Sequence, residues 1–361
     1  MANNTIAFTR GVPAPESYPL DKVAEAAAYV IRNQGQQLMP YTKSFGLMSL
    51  REILAEQYGV TPMQILLSNG SLQILDFAGH VLLGEGTTVF TERPSYDRTL
   101  TLCRRHKTQI VGIPLEQDGP NMEALEAALA EHQPVFFYVI PDFQNPSGAT
   151  ASLEKRQRLV ELARKHNFWL LEDAPYRPLR YRGEQLPSLY DLAPECTLHM
   201  SSYTKQISPG IRVGYMVGET EILAKIAKVA EDTYITPNLV GQGIAYEFIR
   251  RGWLESQLGE LKALYSPRLE AVAGALRTYL PDAEWIEPDG GFFLSVNLPE
   301  GITNETLRAK AAEFGLTLSD GRGFFPKRAD GDRFVRLPFC ALTEAQLAEG
   351  VRRLAKAVNS L

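Results

Sequence analysis

Short apolar runs alternate along the chain with longer segments in which apolar side chains recur every three or four positions. The runs Thr88 to Thr91, Gln109 to Ile113, Val135 to Ile140, Phe168 to Glu172, Thr197 to Met200 and Arg212 to Val217 read as strands. Between them the spacing predicts helices over Ser71 to Leu83, Tyr96 to His106, Met122 to Ala130, Leu153 to His166 and Glu221 to Glu231. Met122, Leu125 and Leu129 make one apolar stripe, with Asn121 placed to cap it. Buried strands separated by helices imply an α/β protein with a mainly parallel sheet. Ligands of such sheets sit beyond the carboxyl ends of the strands.

From about Leu254 the texture changes. A helical stretch from Leu254 to Leu280 contains Pro267, which should kink it. Gly290-Gly291 and an apolar segment from Phe292 to Val296 follow, then a helix carrying Leu307, Ala311 and Phe314 that stops at Gly315. The last helix opens with Thr343-x-x-Gln346, a capping box, and buries Leu347, Val351, Leu354 and Val358. At 361 residues the chain exceeds what one hydrophobic core serves. The reading is an arm and small-domain part over 1–40, a large domain over 41–253 and a smaller α+β domain over 254–361.

Composition narrows the partners. The chain is 45% hydrophobic and 22% charged with a net charge of −5, a balance against engaging nucleic acid or an anionic membrane by bulk charge. No apolar run approaches the length of a membrane span. Cys103, Cys196 and Cys340 are widely spaced and fit no pairing motif, as expected of a reducing cytoplasm. His80, His106, His132, His166 and His199 lie apart with no ligand spacing, so no metal site is expected.

The segment from Ser201 to Arg212 holds the densest candidate chemistry. Ser202 precedes Lys205 by three residues and Arg212 follows it by seven, just past an apolar run. A lysine buried there loses hydration and its pKa falls, which makes its amine a nucleophile for an aldehyde. The hydroxyl and guanidinium suit a phosphate dianion. An aldehyde bearing a phosphate describes pyridoxal 5′-phosphate; a surface lysine on a turn is the plain alternative. Asp173, ending Phe168 to Asp173, serves either as a helix N-cap or as partner to a protonated ring nitrogen.

Other candidates also fall at strand ends. Tyr176 could donate to the cofactor's phenolic oxygen, and so could Asn145 in Asn145-Pro146-Ser147-Gly148, a strong turn in any context. Ser68-Asn69-Gly70-Ser71-Leu72-Gln73 reads as a loop entering a helix, offering the amides of Gly70, Ser71 and Leu72 to a phosphate. Tyr96 is either a core ring or a ring lying on a cofactor face. Arg336, within Phe334 to Phe339, either reaches the surface or forks a carboxylate.

In this order along the chain, these residues resemble the fold-type I pyridoxal-phosphate-dependent aminotransferases of class I/II. Within that class the chain is most similar to the bacterial 2-aminoadipate and aromatic aminotransferase branch, through Gly11 to Pro15, Pro94-Ser95-Tyr96 and Pro209 to Val213. The resemblance implies the aspartate-aminotransferase-like fold and assigns the roles. Lys205 would bond to the cofactor aldehyde and move the substrate proton, Asp173 would hold the ring nitrogen, and Asn145 and Tyr176 the phenolic oxygen. Ser202, Arg212 and the amides of Gly70 to Leu72 would hold the phosphate, and Tyr96 would stack on the ring. Arg336 would fork the substrate α-carboxylate, with Asn145 beside it. Tyr41 matches the tyrosine that reaches the phosphate of the neighbouring subunit, which implies a homodimer.

The pattern departs from the family at Thr204, where serine is common, at Leu72 and Leu75 in the helix start, and at Arg10, where a small residue is usual. Arg10 or Tyr18 on the arm would tune which side chain is accepted. The implied activity is exchange of an amino group between an L-amino acid and a 2-oxo acid, with 2-aminoadipate, glutamate or aromatic donors. Alternatives are a β-lyase, decarboxylating or oxidase reaction on the same scaffold, or a ligand-sensing regulator. Regulators of that kind carry a DNA-binding segment ahead of the large domain, for which residues 1–40 are too few. Neither GxGxxG after a first strand nor GxSxG occurs.

Overall fold

The structure is a computed structural model that describes residues 5–361. In chain order its strands are β1 (Ile6–Phe8), β2 (Ile65–Ser68), β3 (Thr88–Arg93), β4 (Gln109–Glu116), β5 (Gly119–Pro120), β6 (Pro134–Val139) and β7 (Trp169–Asp173). They continue with β8 (Thr197–Ser202), β9 (Gly214–Val217), β10 (Glu284–Trp285), β11 (Phe293–Asn297), β12 (Leu316–Leu318) and β13 (Phe334–Pro338). The central sheet has the order β2-β9-β8-β7-β6-β3-β4-β5. Strands β8, β7, β6, β3 and β4 pair in parallel, while β9 runs antiparallel to both β2 and β8, and β5 to β4.

The uninterrupted apolar runs have a direct cause: the sheet is covered on both faces. Along β6, Phe136 and Tyr138 face one core with helices Ser71–Leu82 and Thr220–Tyr234. Phe137 and Val139 face the other, with helices Met122–Glu131 and Leu153–His166. Asn121 accepts a hydrogen bond from the Ala124 amide at 2.7 Å, the expected cap. Strand β2 was not evident from its four residues. It alternates in the same way, Leu66 joining the first core while Ile65 and Leu67 meet helices Leu20–Leu38, Met48–Tyr58 and Leu239–Arg250.

A separate core forms beyond the sheet. Antiparallel β10-β11-β13 and parallel β1-β12 enclose it with the helices Trp253–Tyr279, Asn304–Glu313 and Glu344–Val358. The last helix carries the expected capping box of Thr343 and Gln346. Helix Trp253–Tyr279 runs unbroken through Pro267. The expected arm piece 1–40 divides between the two cores. Ile6 and Phe8 pack with the smaller one, Ala26, Val30 and Leu38 with the sheet. Arg212, expected to open a strand, instead closes a 3₁₀ turn in the left-handed region at φ 52°, and β9 begins two residues later.

Between the two cores lies a small aromatic cluster containing Ala14, Phe143, Tyr176, Phe292, Phe293 and Cys340. The carboxyl ends of β6, β7 and β8 open beside it through Asn145, Asp173 and Ser202, which fixes the place of the site.

Candidate active site

Two cavities meet at this junction. The smaller, about 190 Å³, is lined by Gly70, Ser71, Leu72, Ser202, Arg212 and Asp173, among others. The larger, about 600 Å³, is lined by Arg10, Asp97, Arg98, Phe324 and Arg336, among others. Tyr96, Asn145, Tyr176 and Lys205 line both. Twelve residues singled out from sequence therefore converge here from seven different segments of the chain, and Lys205 stands at the boundary.

Lys205 lies just past β8. Its Nζ donates to the Gly11 carbonyl at 2.9 Å and sits 5.4 Å from the centre of the Phe292 ring and 5.7 Å from that of Tyr176. Burial lowers its pKa, and Arg336 contributes in the same direction. The amine is thereby held closer to the neutral, nucleophilic form.

Asp173 closes β7. Tyr138 Oη donates to its Oδ2 at 2.5 Å, while Oδ1 is buried without a partner. Burial raises the carboxyl to a pKa of about 6, opposed by the Tyr138 hydrogen bond. A buried carboxylate with one oxygen unpaired calls for a cationic donor. Tyr138 was not singled out from sequence. The signal was there in strand parity: Tyr138 pairs with Leu171 across β6 and β7, so Tyr138 and Asp173 share a face.

Behind Asp173 lies a buried polar chain. His199 Nδ1 meets Glu172 Oε2 at 2.8 Å, and Glu172 also accepts from the amides of Leu189 and Tyr190. On its other side, His199 Nε2 lies 3.0 Å from Tyr58 Oη. Hydrogen bonds thus satisfy Glu172 and His199 behind the strand end, while Asp173 Oδ1 remains without a partner.

Asn145 Oδ1 accepts from Arg336 Nη1 at 2.9 Å, which leaves the Asn145 Nδ2 hydrogens free to donate elsewhere. Its turn is pinned by Gln144, whose Oε1 accepts from the Ser147 amide at 2.9 Å and whose Nε2 donates to Glu92 at 3.0 Å. Gly148 at φ 85° ends the turn, and a Cβ there would meet the Phe293 carbonyl at 2.6 Å. Arg336 projects from β13 between two rings, 4.7 Å from the centre of Phe293 and 4.5 Å from that of Phe324. Its Nη2 donates to the Thr9 carbonyl at 2.8 Å. Arg336 is buried and does not reach the surface, and each terminal nitrogen keeps a second N–H able to meet a carboxylate.

At the start of helix Ser71–Leu82, Gly70 takes φ 101°, and a Cβ there would stand 2.4 Å from Arg212 Nη2. A Cβ on Gly214 of β9 would likewise stand 2.4 Å from the Ser71 amide nitrogen. Arg212 Nη2 donates to the Asn69 carbonyl at 2.8 Å, so the guanidinium is fixed beside the helix start. Tyr96 is mostly buried, and desolvation pushes its phenol to about 12, keeping it protonated.

Two expected residues lie elsewhere. Tyr18 Oη donates to the Pro13 carbonyl at 3.2 Å within the arm and lines neither cavity. Tyr41 is 81% exposed and lines neither cavity of its own chain.

Residues 4–354 match the family of class I and II aminotransferases. The chain belongs to that family. It is 34% identical to a 2-aminoadipate transaminase of Thermus thermophilus, over 99% of this chain and 90% of that protein. It is 31% identical to an aromatic-amino-acid aminotransferase of Thermococcus litoralis, over 99% and 88%. The crystal structure of an alpha-aminoadipate aminotransferase from Thermus thermophilus, complexed with N-(5′-phosphopyridoxyl)-L-leucine, superposes with a TM-score of 0.93 at 32% identity, covering 99% of this chain and 92% of that one.

This aminotransferase is a pyridoxal-phosphate enzyme with the α/β fold of aspartate aminotransferase, acting on amino acids and 2-oxo acids. Its own residues fit the cofactor. The unpaired Asp173 Oδ1 awaits a cation, and the close approach of Gly70 and Gly214 clears the amides beside Arg212 for an anion. No helix among the described residues is long and apolar enough to cross a membrane.

Proposed function

We propose that the enzyme works by a ping-pong exchange in which the donor is 2-aminoadipate, glutamate or an aromatic amino acid. The names of the two relatives above support this choice of donors. The observation that carries the reading is the position of Lys205 between a small cavity holding Asp173 and a large one holding Arg336.

In this reading Asp173 holds the ring nitrogen, Ser202, Arg212 and the amides of Gly70, Ser71 and Leu72 hold the phosphate, and Tyr96 covers the ring. Bound there, pyridoxal phosphate supplies an aldehyde that bonds to amines and a protonated ring that takes up the electron pair released at the substrate Cα. Arg336 binds the substrate α-carboxylate, beside Asn145, and so orients the Cα–H bond toward Lys205. The Lys205 amine, freed of part of its proton affinity by burial, takes the Cα proton and returns it. Asn145 Nδ2 and Tyr176 Oη donate to the ring's phenolic oxygen. The larger cavity, with Arg10 and Arg98 on its wall, receives the substrate side chain.

The exposed Tyr41 supports a homodimer in which each subunit reaches the phosphate of the other. Two separate hydrophobic cores support a division near residue 253, with arm residues shared between them. Three free thiols support a reducing, cytoplasmic setting.

The test omits the acceptor. A panel of amino acids is mixed with purified holoenzyme, and each competent donor is expected to release one equivalent of its 2-oxo acid per site. Further release is expected only when a second 2-oxo acid is added. Release of ammonia or peroxide instead would favour a lyase or oxidase, and no response to any donor would favour a sensor.

A further inference from the structure

Asp76, His80 and His106 form a cluster outside the active site. Asp76 and His80 lie one turn apart on helix Ser71–Leu82 and so share a face. His106 caps the carboxyl end of helix Asp97–Arg105. The two imidazoles stand edge to face with ring centres 4.8 Å apart. One ligand atom from each of the three residues lies within 4.8 Å of the others. We propose that these residues bind a late first-row divalent cation such as Zn²⁺.

Three features of the cluster fit ligation. His80 Nδ1 lies 2.9 Å from the Asp76 carbonyl, so Nδ1 carries the proton and Nε2 presents its lone pair outward. Among the described residues the Asp76 carboxylate has no hydrogen bond or ion pair that would compete for its oxygens. Gly79 sits between the two helix ligands, and a Cβ there would approach His106 Nε2 to 2.9 Å. A glycine inside a helix is destabilising relative to alanine, and here it opens the seat on which the His106 ring rests.

Two imidazoles and a carboxylate make a nitrogen-rich set that favours Zn²⁺, Ni²⁺, Co²⁺ or Cu²⁺ over Mg²⁺ and Ca²⁺. Ligands about 2 Å from a tetrahedral ion lie about 3.3 Å from one another, so the cluster closes by small side-chain rotations. His80 is exposed, which leaves the fourth position to water.

The placement links this cluster to the cofactor cavity. Helix Ser71–Leu82 starts at the Gly70 cradle and helix Asp97–Arg105 starts at Tyr96. A bound ion would therefore brace, at their far ends, the two helices whose near ends line the smaller cavity.

The experiment titrates chelator-treated holoenzyme with Co²⁺, followed by its visible d–d absorption and by calorimetry, with Zn²⁺ as competitor. One Co²⁺ per chain is expected, displaced by Zn²⁺. His80→Gln and His106→Gln should each weaken binding at least tenfold, and Gly79→Ala should do the same by crowding His106. The wild-type melting temperature should rise with Zn²⁺ while that of His80→Gln, an exposed position that preserves the fold, should not. No stoichiometric binding, or binding that survives both histidine substitutions, overturns the proposal.

Discussion

Asp173 shows how far a single residue departs from what stability alone would select. Its folded pKa of about 6 lies above the ordinary value of 3.8, so the folded chain holds the proton more tightly than the unfolded one. Stability of the cofactor-free protein is therefore fully present below about pH 4 and falls as pH rises to about 6. The difference corresponds to about 3 kcal/mol. Asp173→Asn should remove this dependence, so that denaturant titrations of the cofactor-free variant show higher stability at pH 7 than wild type. The same substitution should loosen cofactor retention in dialysis, because the amide offers no counter-charge to a ring cation. Unchanged stability against pH would remove the account of the buried charge.

Tyr138 should act through Asp173. Removing a hydrogen bond to a charged group costs about 1.5–3 kcal/mol, so Tyr138→Phe should weaken cofactor binding roughly ten- to a hundredfold and move the acid limb of the turnover profile to higher pH. An unmoved pH profile would make Tyr138 merely structural. Lys205, Asp173 and Arg336 were legible in sequence because each is a charge set in or beside an apolar run, which physics rarely permits without purpose. Tyr138 was not, because a tyrosine in a strand needs no explanation until its cross-strand neighbour is known.

Among the elements, helix Ser71–Leu82, which opens at Gly70 beside the smaller cavity, is the most constrained. Gly70→Ala places a Cβ against the Arg212 guanidinium at a backbone angle that side chains avoid. Cofactor binding, measured by equilibrium dialysis, should weaken at least tenfold, with the fold retained by circular dichroism. At the other end of the chain, Thr343→Ala removes the cap of the last helix and should cost about 1 kcal/mol in denaturant unfolding without changing turnover. From Ser71 onward most strands and helices of the sheet region were readable from periodicity because both faces of the sheet are covered, whereas strand β2 and helices Leu20–Leu38 and Met48–Tyr58 were not picked out. Strands β1, β5, β10 and β12 were not, since two or three residues carry no period, and Arg212 was misread because its left-handed turn leaves no mark in an apolar run.

At the scale of the whole molecule, the site exists only where the two cores meet. Arm carbonyls of Thr9 and Gly11 accept from Arg336 and Lys205, so the first residues and the last strands close on the same pair of cations. Which residues of the arm would serve the site could not be read locally: Arg10 lines the larger cavity, while Tyr18 bonds back to the arm. Tyr41 belongs to this scale too. If it serves the neighbouring subunit, mixing Lys205→Ala with Tyr41→Ala chains should restore one intact site per hybrid dimer. Steady-state turnover of the mixture should then exceed that of either parent alone; a mixture that only averages its parents would contradict a shared site.

The central claim is that the amine of Lys205 is the group that bonds the cofactor. Borohydride reduction of the holoenzyme, followed by proteolysis and mass spectrometry, tests it directly. The account predicts one phosphopyridoxyl adduct per chain, on the peptide containing Lys205 and absent from Lys205→Ala. An adduct on another lysine, or none at all, would contradict it.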